Sequence, residues 1–279
     1  MGQKKRSAAG RVDSAPPRER GPLRSPQRLA LAGLILVLVA GIGSAAVLLF
    51  GRGGEESAGP KTAAIVNQLS LTQPNPDFVS SARSLLAEAG YLVDYFAGEQ
   101  VTVDLYRSLP QRDYDIVILR VHAGITTEVD ASSGERTETE YVSLFTGEPY
   151  TSGKYPDEEL NRLGRARYHE GADPLFGIGP DFVTDSMEGR FNDTLIVMMG
   201  CDGLRSQRTG QAFLDKGAQA FVSWTQPVSA SHTDAATQRL LERLLIEGQP
   251  TSEAVTQTAA EVGPDPAYEG ELRVLEADG

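Results

Sequence analysis

The chain has 279 residues with 38 acidic and 26 basic side chains, and the basic groups are concentrated at its beginning. Residues 1–28 hold eight Lys and Arg against two Asp and Glu, which leaves 18 basic and 36 acidic groups for the rest. Such an acidic remainder argues against nucleic acid as a partner, because binding the phosphate backbone needs clustered Lys and Arg. The single cysteine, Cys201, excludes an intrachain disulfide framework.

The first sixty residues predict a tail, a membrane span and a linker. Residues 29–50 carry no charge and are long enough to cross a bilayer as one helix, whereas a cleaved signal peptide has only ~7–15 apolar residues. A buried helix of a soluble protein is the alternative for this segment. Residues 1–28 are expected to be a disordered, basic cytoplasmic tail, and 51–60 a flexible linker. We therefore expect a single-pass protein of the cell membrane whose C-terminal domain faces outward.

Residues 61–279 predict one α/β domain. Predicted strands at 63–71, 91–97 and 114–121 alternate with predicted helices at 77–89 and 103–109, which favours a parallel sheet. The later predicted elements are a strand ending at Cys201, a helix at 210–216, a strand at 220–224, helices at about 231–247 and 251–262, and an edge strand at 271–275. We expect a doubly wound, mostly parallel sheet of strand order 2-1-3-4-5.

An insert at about 125–193 interrupts this pattern. Alternating residues at 126–130 and 137–144 predict a β-hairpin, and a helix is expected at 157–168. The Gly- and Pro-rich stretch 173–182 is expected to be a loop. Because long ordered loops in compact domains are usually functional, we expect the insert to cover the site as a lid.

Two apolar strands end on reactive side chains. The segment 115–124 (DIVILRVHAG) runs into His122, and 194–202 (TLIVMMGCD) runs into Cys201. In the expected order these strands are neighbours, with axes ~4.8 Å apart, and ligands bind at the carboxyl ends of such strands. The sequence therefore predicts that His122 and Cys201 meet at one edge of the sheet.

A cysteine and a histidine side by side can carry nucleophilic catalysis. The histidine accepts the thiol proton, and an imidazolium neighbour is expected to lower the pKa of the Cys201 thiol below ~8.5. Gly124 and Gly200 allow close backbone approach, and the N–H groups of Cys201 and of residues near Gly124 can form an oxyanion hole. The alternatives are an inert buried cysteine and a structural histidine.

These motifs, together with 212–224 (AFLDKGAQAFVSW), resemble the caspase–gingipain–separase superfamily of cysteine peptidases, and most closely its CHAT-like branch. The resemblance implies a caspase-like fold with His122 and Cys201 catalytic, and with Asp202 and Trp224 as possible substrate-binding residues. Three departures from the family pattern stand out, and the first is a spacing between the histidine and the cysteine that is longer than in most members. Ala123 separates the histidine from its glycine, and Thr225 stands where caspases place a substrate-binding arginine. Cleavage after aspartate is therefore not implied.

The leading hypothesis is a membrane-anchored cysteine peptidase-like domain that acts on a peptide or protein substrate. The alternative is an inactive relative that binds a peptide or protein partner with the same loop edge. A structural membrane protein is a third interpretation, which leaves the long insert without a purpose. No cofactor is required, and the sequence contains neither zinc-ligand spacing nor a Gly-rich phosphate loop.

Overall fold

A computed structural model describes residues 59–129, 132–133, 135–158 and 162–277. The predicted tail and membrane span, 1–28 and 29–50, lie outside these residues, as does most of the predicted linker. None of the helices in the described ranges is long and apolar enough to cross a bilayer.

The described chain is a mixed α/β structure. In chain order its elements are β1 (Thr62–Asn67), a 3₁₀ helix (Gln68–Leu71), α1 (Pro76–Glu88), β2 (Leu92–Ala97), a 3₁₀ turn (Gly98–Gln100), α2 (Val103–Ser108), a 3₁₀ turn (Leu109–Arg112), β3 (Ile116–Arg120), β4 (Ala123–Val129), β5 (Arg136–Pro149), β6 (Leu163–Ala166), β7 (Leu175–Ile178), α3 (Pro180–Asp185), β8 (Thr194–Met198), α4 (Arg208–Asp215), β9 (Ala218–Trp224), α5 (Ala230–Leu241), a π-helical stretch (Glu242–Ile246), α6 (Thr251–Val262) and β10 (Leu272–Glu276).

The main sheet has the order β2-β1-β3-β8-β9-β10. Its first five strands are parallel, and β10 joins the edge antiparallel to β9. The predicted order 2-1-3-4-5 of the parallel strands is thereby confirmed. β1, β3 and β8 are buried along almost their whole length, as continuous apolar strands covered on both faces should be.

Apolar side chains pack on both faces of this sheet. On one face Phe78 of α1, Leu240 of α5 and Val255 of α6 join a buried cluster with Ile65 and Ile118. On the other face, residues of α2, α3 and α4 join a second cluster with the alternate side chains of the same strands. The alternation of strand side chains explains why neighbouring residues enter different clusters.

A second, antiparallel sheet has the order β4-β5-β7-β6. The predicted hairpin is confirmed, because β4 and β5 pair with Ala123 opposite Leu144. Val142, Leu144, Phe176 and Ile178 of this sheet belong to the same buried cluster as the helices on that face of the main sheet. The segment predicted as an insert therefore contributes to the core.

Three predicted elements inside and before this segment differ from the structure. The helix expected at 157–168 is wrong, because 163–166 form strand β6, with Gly164 opposite Gly177 of β7. The loop expected at 173–182 contains β7 and the first residues of α3, and Gly177 conceals the strand pattern of β7. The first strand ends at Asn67 rather than 71, because the next residues turn into a 3₁₀ helix. At Gly164 and Gly177, pairing between the strands outweighs the low intrinsic preference of glycine for β-structure.

Candidate active site

The register of the main sheet brings His122 and Cys201 to one edge. Leu119 of β3 is paired with Met198 of β8, and the Met199 amide donates to the Leu119 carbonyl at 2.9 Å. His122 comes three residues after Leu119, and Cys201 comes three residues after Met198. The segments after β3 and β8 therefore leave the sheet at the same level of its carboxyl edge, where the sequence predicts the site.

Gly200 lets these two chain ends approach. A Cβ on Gly200 would lie 2.6 Å from the Val121 carbonyl oxygen and 3.2 Å from the Ala123 Cβ. The first distance is far below van der Waals contact, and the atom it meets belongs to the backbone, which cannot rotate away. Glycine at position 200 is therefore a steric requirement of the arrangement of His122 and Cys201.

His122 and Cys201 line the same cleft, which has a volume of about 580 Å³. One wall comes from the segment after β1, with Leu69 and Gln73, and the opposite wall comes from the loop between β9 and α5 and from the start of α5. Tyr268, which is 54% exposed, stands at the rim. The cleft is the size of a typical small-ligand or side-chain pocket.

Four side chains hold His122, three at its imidazole and one at its backbone amide. Its Nε2 lies 2.8 Å from the Thr72 hydroxyl, and its backbone amide donates to Oε1 of the buried Gln68 at 2.9 Å. The rings of Tyr168 and Phe145 contact the imidazole with centroid distances of 4.9 and 5.9 Å. Gln68 in turn donates to the Tyr168 hydroxyl at 2.6 Å, so the backbone and ring of His122 share one network.

Thr72 occupies one nitrogen of the imidazole and leaves the other one available. Among the described residues, Nδ1 of His122 has no hydrogen-bond partner. Burial lowers the pKa of His122, and the nearby charge of Arg120 lowers it further. The ring is therefore neutral at pH 7. If Nε2 donates to Thr72, Nδ1 is the unprotonated nitrogen, as a general base requires.

The Cys201 thiol is held by the loop that follows β9. The Val228 amide donates to Sγ at 3.5 Å, and Sγ lies 3.7 Å from the Val228 carbonyl oxygen. Within the described chain, no hydrogen bond joins Sγ to the imidazole. Cys201 and His122 thus line one cleft without a hydrogen bond between their side chains.

The expected lowering of the pKa of the Cys201 thiol is wrong. Burial raises the pKa of the Cys201 thiol, and the charges of Asp202 and Asp265 add to the rise, while the bond with Val228 opposes it. An imidazolium would have the opposite effect, but His122 is neutral. The sequence predicts that the imidazole and the thiol lie at the same edge. It does not indicate that burial favours the uncharged form of both groups.

The backbone around the two residues offers amide donors. Phe145 donates its amide to the His122 carbonyl at 2.9 Å, and Gly124 is in register with Ser143. The alternation of an antiparallel ladder then turns the Gly124 amide toward β5 and the Ala123 amide away from it. Of the two glycines predicted at the site, Gly200 has the steric role described above and Gly124 belongs to the β4–β5 ladder.

Asp202 and Trp224, the predicted substrate-binding residues, do not line the cleft. Asp202 is buried, has a left-handed backbone with φ of 58°, and lies 3.7 Å from the Arg205 guanidinium. Trp224 is buried, and its indole N–H donates to the Thr233 hydroxyl at 2.9 Å. Because Thr233 lines the cleft, Trp224 supports the wall from behind.

The two remaining histidines lie outside the cleft lining. His169 is exposed, and its Nδ1 lies 2.9 Å from the Glu170 carbonyl oxygen. Nε2 of His232 lies 3.2 Å from the Gly263 carbonyl oxygen. Among the residues that the structure describes, no group of three or more His, Cys, Asp or Glu is arranged to hold a metal ion.

A buried ion pair beneath the cleft was missed by sequence reasoning. Arg120, the last residue of β3, is 1% exposed and donates to both carboxylate oxygens of Asp234 on α5, at 2.7 and 2.8 Å. It also donates to the Asn67 side chain and to the Gln73 carbonyl, both at 3.0 Å. The available signal was a single charged residue in an otherwise apolar strand.

The expectation that the insert covers the site as a lid is wrong for the described part of the chain. No described residue between 125 and 193 lines the cleft. Phe145 and Tyr168 reach the site only as the aromatic contacts behind the His122 ring. The segment acts as a support for His122.

Comparisons with known proteins add no identification. No family model matches the chain, and no curated protein matches it. Among solved structures, the crystal structure of protein GSU0716 from Geobacter sulfurreducens is 14% identical, with a TM-score of 0.41. The match covers 79% of this chain and 95% of that protein. A likeness of this size carries no argument about fold or function.

Proposed function

We propose that this chain is a cysteine peptidase-like protein with a caspase-like, doubly wound domain, Cys201 as nucleophile and His122 as general base. The observation that supports this most is the register of β3 and β8, which brings both residues to the wall of one cleft. The free Nδ1 and the neutral state of His122 suit a base that accepts a proton when substrate arrives.

The proposed reaction begins with both groups uncharged. Nδ1 of His122 takes the proton from Sγ of Cys201 as the sulfur attacks the peptide carbonyl carbon. The carbonyl oxygen gains the negative charge and is stabilised by the amides of Cys201 and Ala123. The C–N bond then breaks, the amine leaves with the proton from His122, and water hydrolyses the remaining thioester.

Hydrolysis of a quenched fluorogenic peptide pool by the full-length protein tests this proposal. Cys201→Ala is expected to abolish cleavage, and His122→Ala to reduce it by about 10²–10⁴-fold, the usual contribution of a general base. His169→Ala is the matched control, because this exposed histidine does not line the cleft, and it should retain activity. Equal activity of wild type and Cys201→Ala would contradict the proposal.

The second candidate is an inactive relative that binds a peptide in the same cleft. The raised pKa of the Cys201 thiol and the lack of a hydrogen bond to His122 favour this alternative. A binding protein of this kind would hold peptides with equal affinity in wild type and Cys201→Ala and would cleave none of them.

We also propose a single membrane span at 29–50 with the domain outside the cell, supported by the charge-free run and the basic residues before it. Protease added to intact cells should then digest residues beyond 51, with lysed cells as the control. Full protection of the domain in intact cells would contradict this orientation.

A further inference from the structure

The cleft that contains Cys201 has an uncharged lining. Its described lining residues include no Asp, Glu, Lys or Arg, and His122 is neutral. The lining is made of aliphatic, small, hydroxyl and amide groups, with Tyr268 at the rim. Its aliphatic part includes Leu69, Val121, Met199 and Val228, and its amide group is that of Gln73.

Arg120 is a buried cation whose charge reaches His122, and its guanidinium is already hydrogen-bonded within the protein. Four of its five N–H groups donate to Asp234, Asn67 and the Gln73 carbonyl. The side chain is 1% exposed and does not line the cleft. The guanidinium of Arg120 is therefore paired within the protein and is not available for a direct ion pair with an acidic side chain of a substrate.

Asp265 is the buried acid behind the opposite wall, and its carboxylate is also occupied. One oxygen accepts from the amide and hydroxyl of Ser229, at 2.8 and 2.5 Å, and the other accepts from the amides of Ala267 and Tyr268, both at 2.9 Å. Its role is to shape the loop that carries Ser229. Both of its oxygens are therefore already used within the protein, and Asp265 does not line the cleft where a basic side chain of a substrate would bind.

Asp202 follows the nucleophile directly and still does not reach the cleft. Its side chain is buried, and its nearest cation is Arg205 at 3.7 Å. Asp202 does not line the cleft, and its amide donates to the Gln226 carbonyl at 3.2 Å. None of these three residues therefore lines the cleft.

We propose that the cleft accepts an uncharged, mainly apolar side chain of a peptide, at the residue next to the bond presented to Cys201. This inference rests on the proposed function and adds its substrate class. Burying an isolated charge without a partner is costly, whereas an apolar side chain gains from contact with Leu69, Val121 and Met199. Acidic and basic side chains are excluded because the lining holds no counter-charge.

Binding to the full-length Cys201→Ala protein tests the inference without any chemistry at the thiol. Fluorescein-labelled hexapeptide amides that differ only at the central residue are compared by anisotropy, with Leu, Asn, Asp or Arg at that position. We expect the Leu peptide to bind at least about tenfold more tightly than the Asp and Arg peptides, and the Asn peptide more tightly than its Asp isostere. Binding of the Asp or Arg peptide as tight as that of the Leu peptide overturns the inference, and so does the absence of binding by all four.

A charge introduced on the wall provides the reciprocal test. Gln73→Glu places a carboxylate on the lining, and the only hydrogen bond that Gln73 makes to Arg120 uses its backbone carbonyl, which the substitution keeps. This variant, in the Cys201→Ala background, should gain at least about tenfold in affinity for the Arg peptide. Gln111→Glu changes the net charge equally at an exposed site away from the cleft and should not change the preference. An equal gain in both variants overturns the inference.

The two proposals fail in different ways. If wild type cleaves none of the four peptides and Cys201→Ala still prefers the Leu peptide, the peptidase proposal fails and the neutral cleft stands. If wild type cleaves the Asp or Arg peptide faster than the Leu peptide, the neutral cleft fails and the peptidase proposal stands.

Discussion

The Thr72 hydroxyl lies 2.8 Å from Nε2 of His122, on the side of the imidazole that leaves Nδ1 available for chemistry. Thr72 comes from the loop after the first 3₁₀ helix, so the orientation of the proposed base depends on a segment far from both catalytic strands in sequence. The contact makes Thr72 a candidate positioning residue for His122.

Thr72→Val tests this positioning role, because valine keeps the shape of threonine and removes the hydroxyl. A neutral hydrogen bond contributes about 1 kcal/mol, so we expect kcat/KM for peptide cleavage to fall about fivefold. The pH profile of kcat should also change, since the ring would no longer favour one tautomer. Thr72→Ser should restore both readouts, and a variant with an unchanged pH profile would assign Thr72 a merely structural role.

The Arg120–Asp234 pair is expected to dominate the stability of the edge that carries the site. Removing one partner leaves the other charge buried and unpaired, so Arg120→Met should lower the free energy of unfolding by about 3–5 kcal/mol. Urea unfolding followed by the fluorescence of Trp224, the single tryptophan, measures this change. The control is Arg162→Met, which removes an exposed pair with Asp185 and should cost at most about 1 kcal/mol. Equal losses in the two variants would contradict this account.

Gly200→Ala is expected to disturb the site because its Cβ would meet the Val121 carbonyl. Relief of such a contact requires a backbone shift, which typically costs about 1–3 kcal/mol. We expect both reduced stability and loss of peptide cleavage. Gly164→Ala is the matched control, because the nearest atom to its Cβ would be the Ser143 hydroxyl oxygen at 4.0 Å. If Gly200→Ala were tolerated as well as Gly164→Ala, the close approach would be irrelevant to function.

The pH dependence of alkylation follows from the raised pKa of Cys201. Burial keeps the thiol protonated, so less thiolate is present at pH 7–8 than in an exposed cysteine peptide. Iodoacetamide should therefore modify native Cys201 more slowly than the peptide, and the difference should disappear in urea. Because the pKa of the thiol is higher in the folded state, its contribution to the free energy of unfolding is present in full below the ordinary thiol pKa. That contribution is lost as the pH rises through the folded-state pKa. Faster alkylation of the native protein at pH 7 would show that an ion pair lowers the thiol pKa after all.

Much of the parallel sheet could be predicted from sequence because its strands are short, apolar and bounded by breaks. The strands that end before His122 and Cys201 are continuous apolar runs, and their register follows from the sheet order. The second sheet was harder to predict, since Gly164 and Gly177 pair across strands whose local sequence suggests a helix and a loop.

The site itself could be predicted only in part. The positions of His122 and Cys201 follow from where their strands end, but their charge states depend on burial and on neighbours from distant segments. Thr72, Gln68 and Tyr168 reach the histidine from parts of the chain separated by up to 100 residues. No local pattern in the sequence indicates such contacts.

The most direct test of the central claim is a crystal structure of the protein with a peptide aldehyde that carries leucine next to the aldehyde group. The account predicts a covalent bond between Sγ of Cys201 and the aldehyde carbon. It also predicts Nδ1 of His122 within hydrogen-bond distance of the adduct, with Nε2 still on Thr72, and the aldehyde oxygen on the amides of Cys201 and Ala123. An aldehyde bound without a bond to Cys201, or a His122 ring turned away from the adduct, would contradict the assignment of this pair as nucleophile and base.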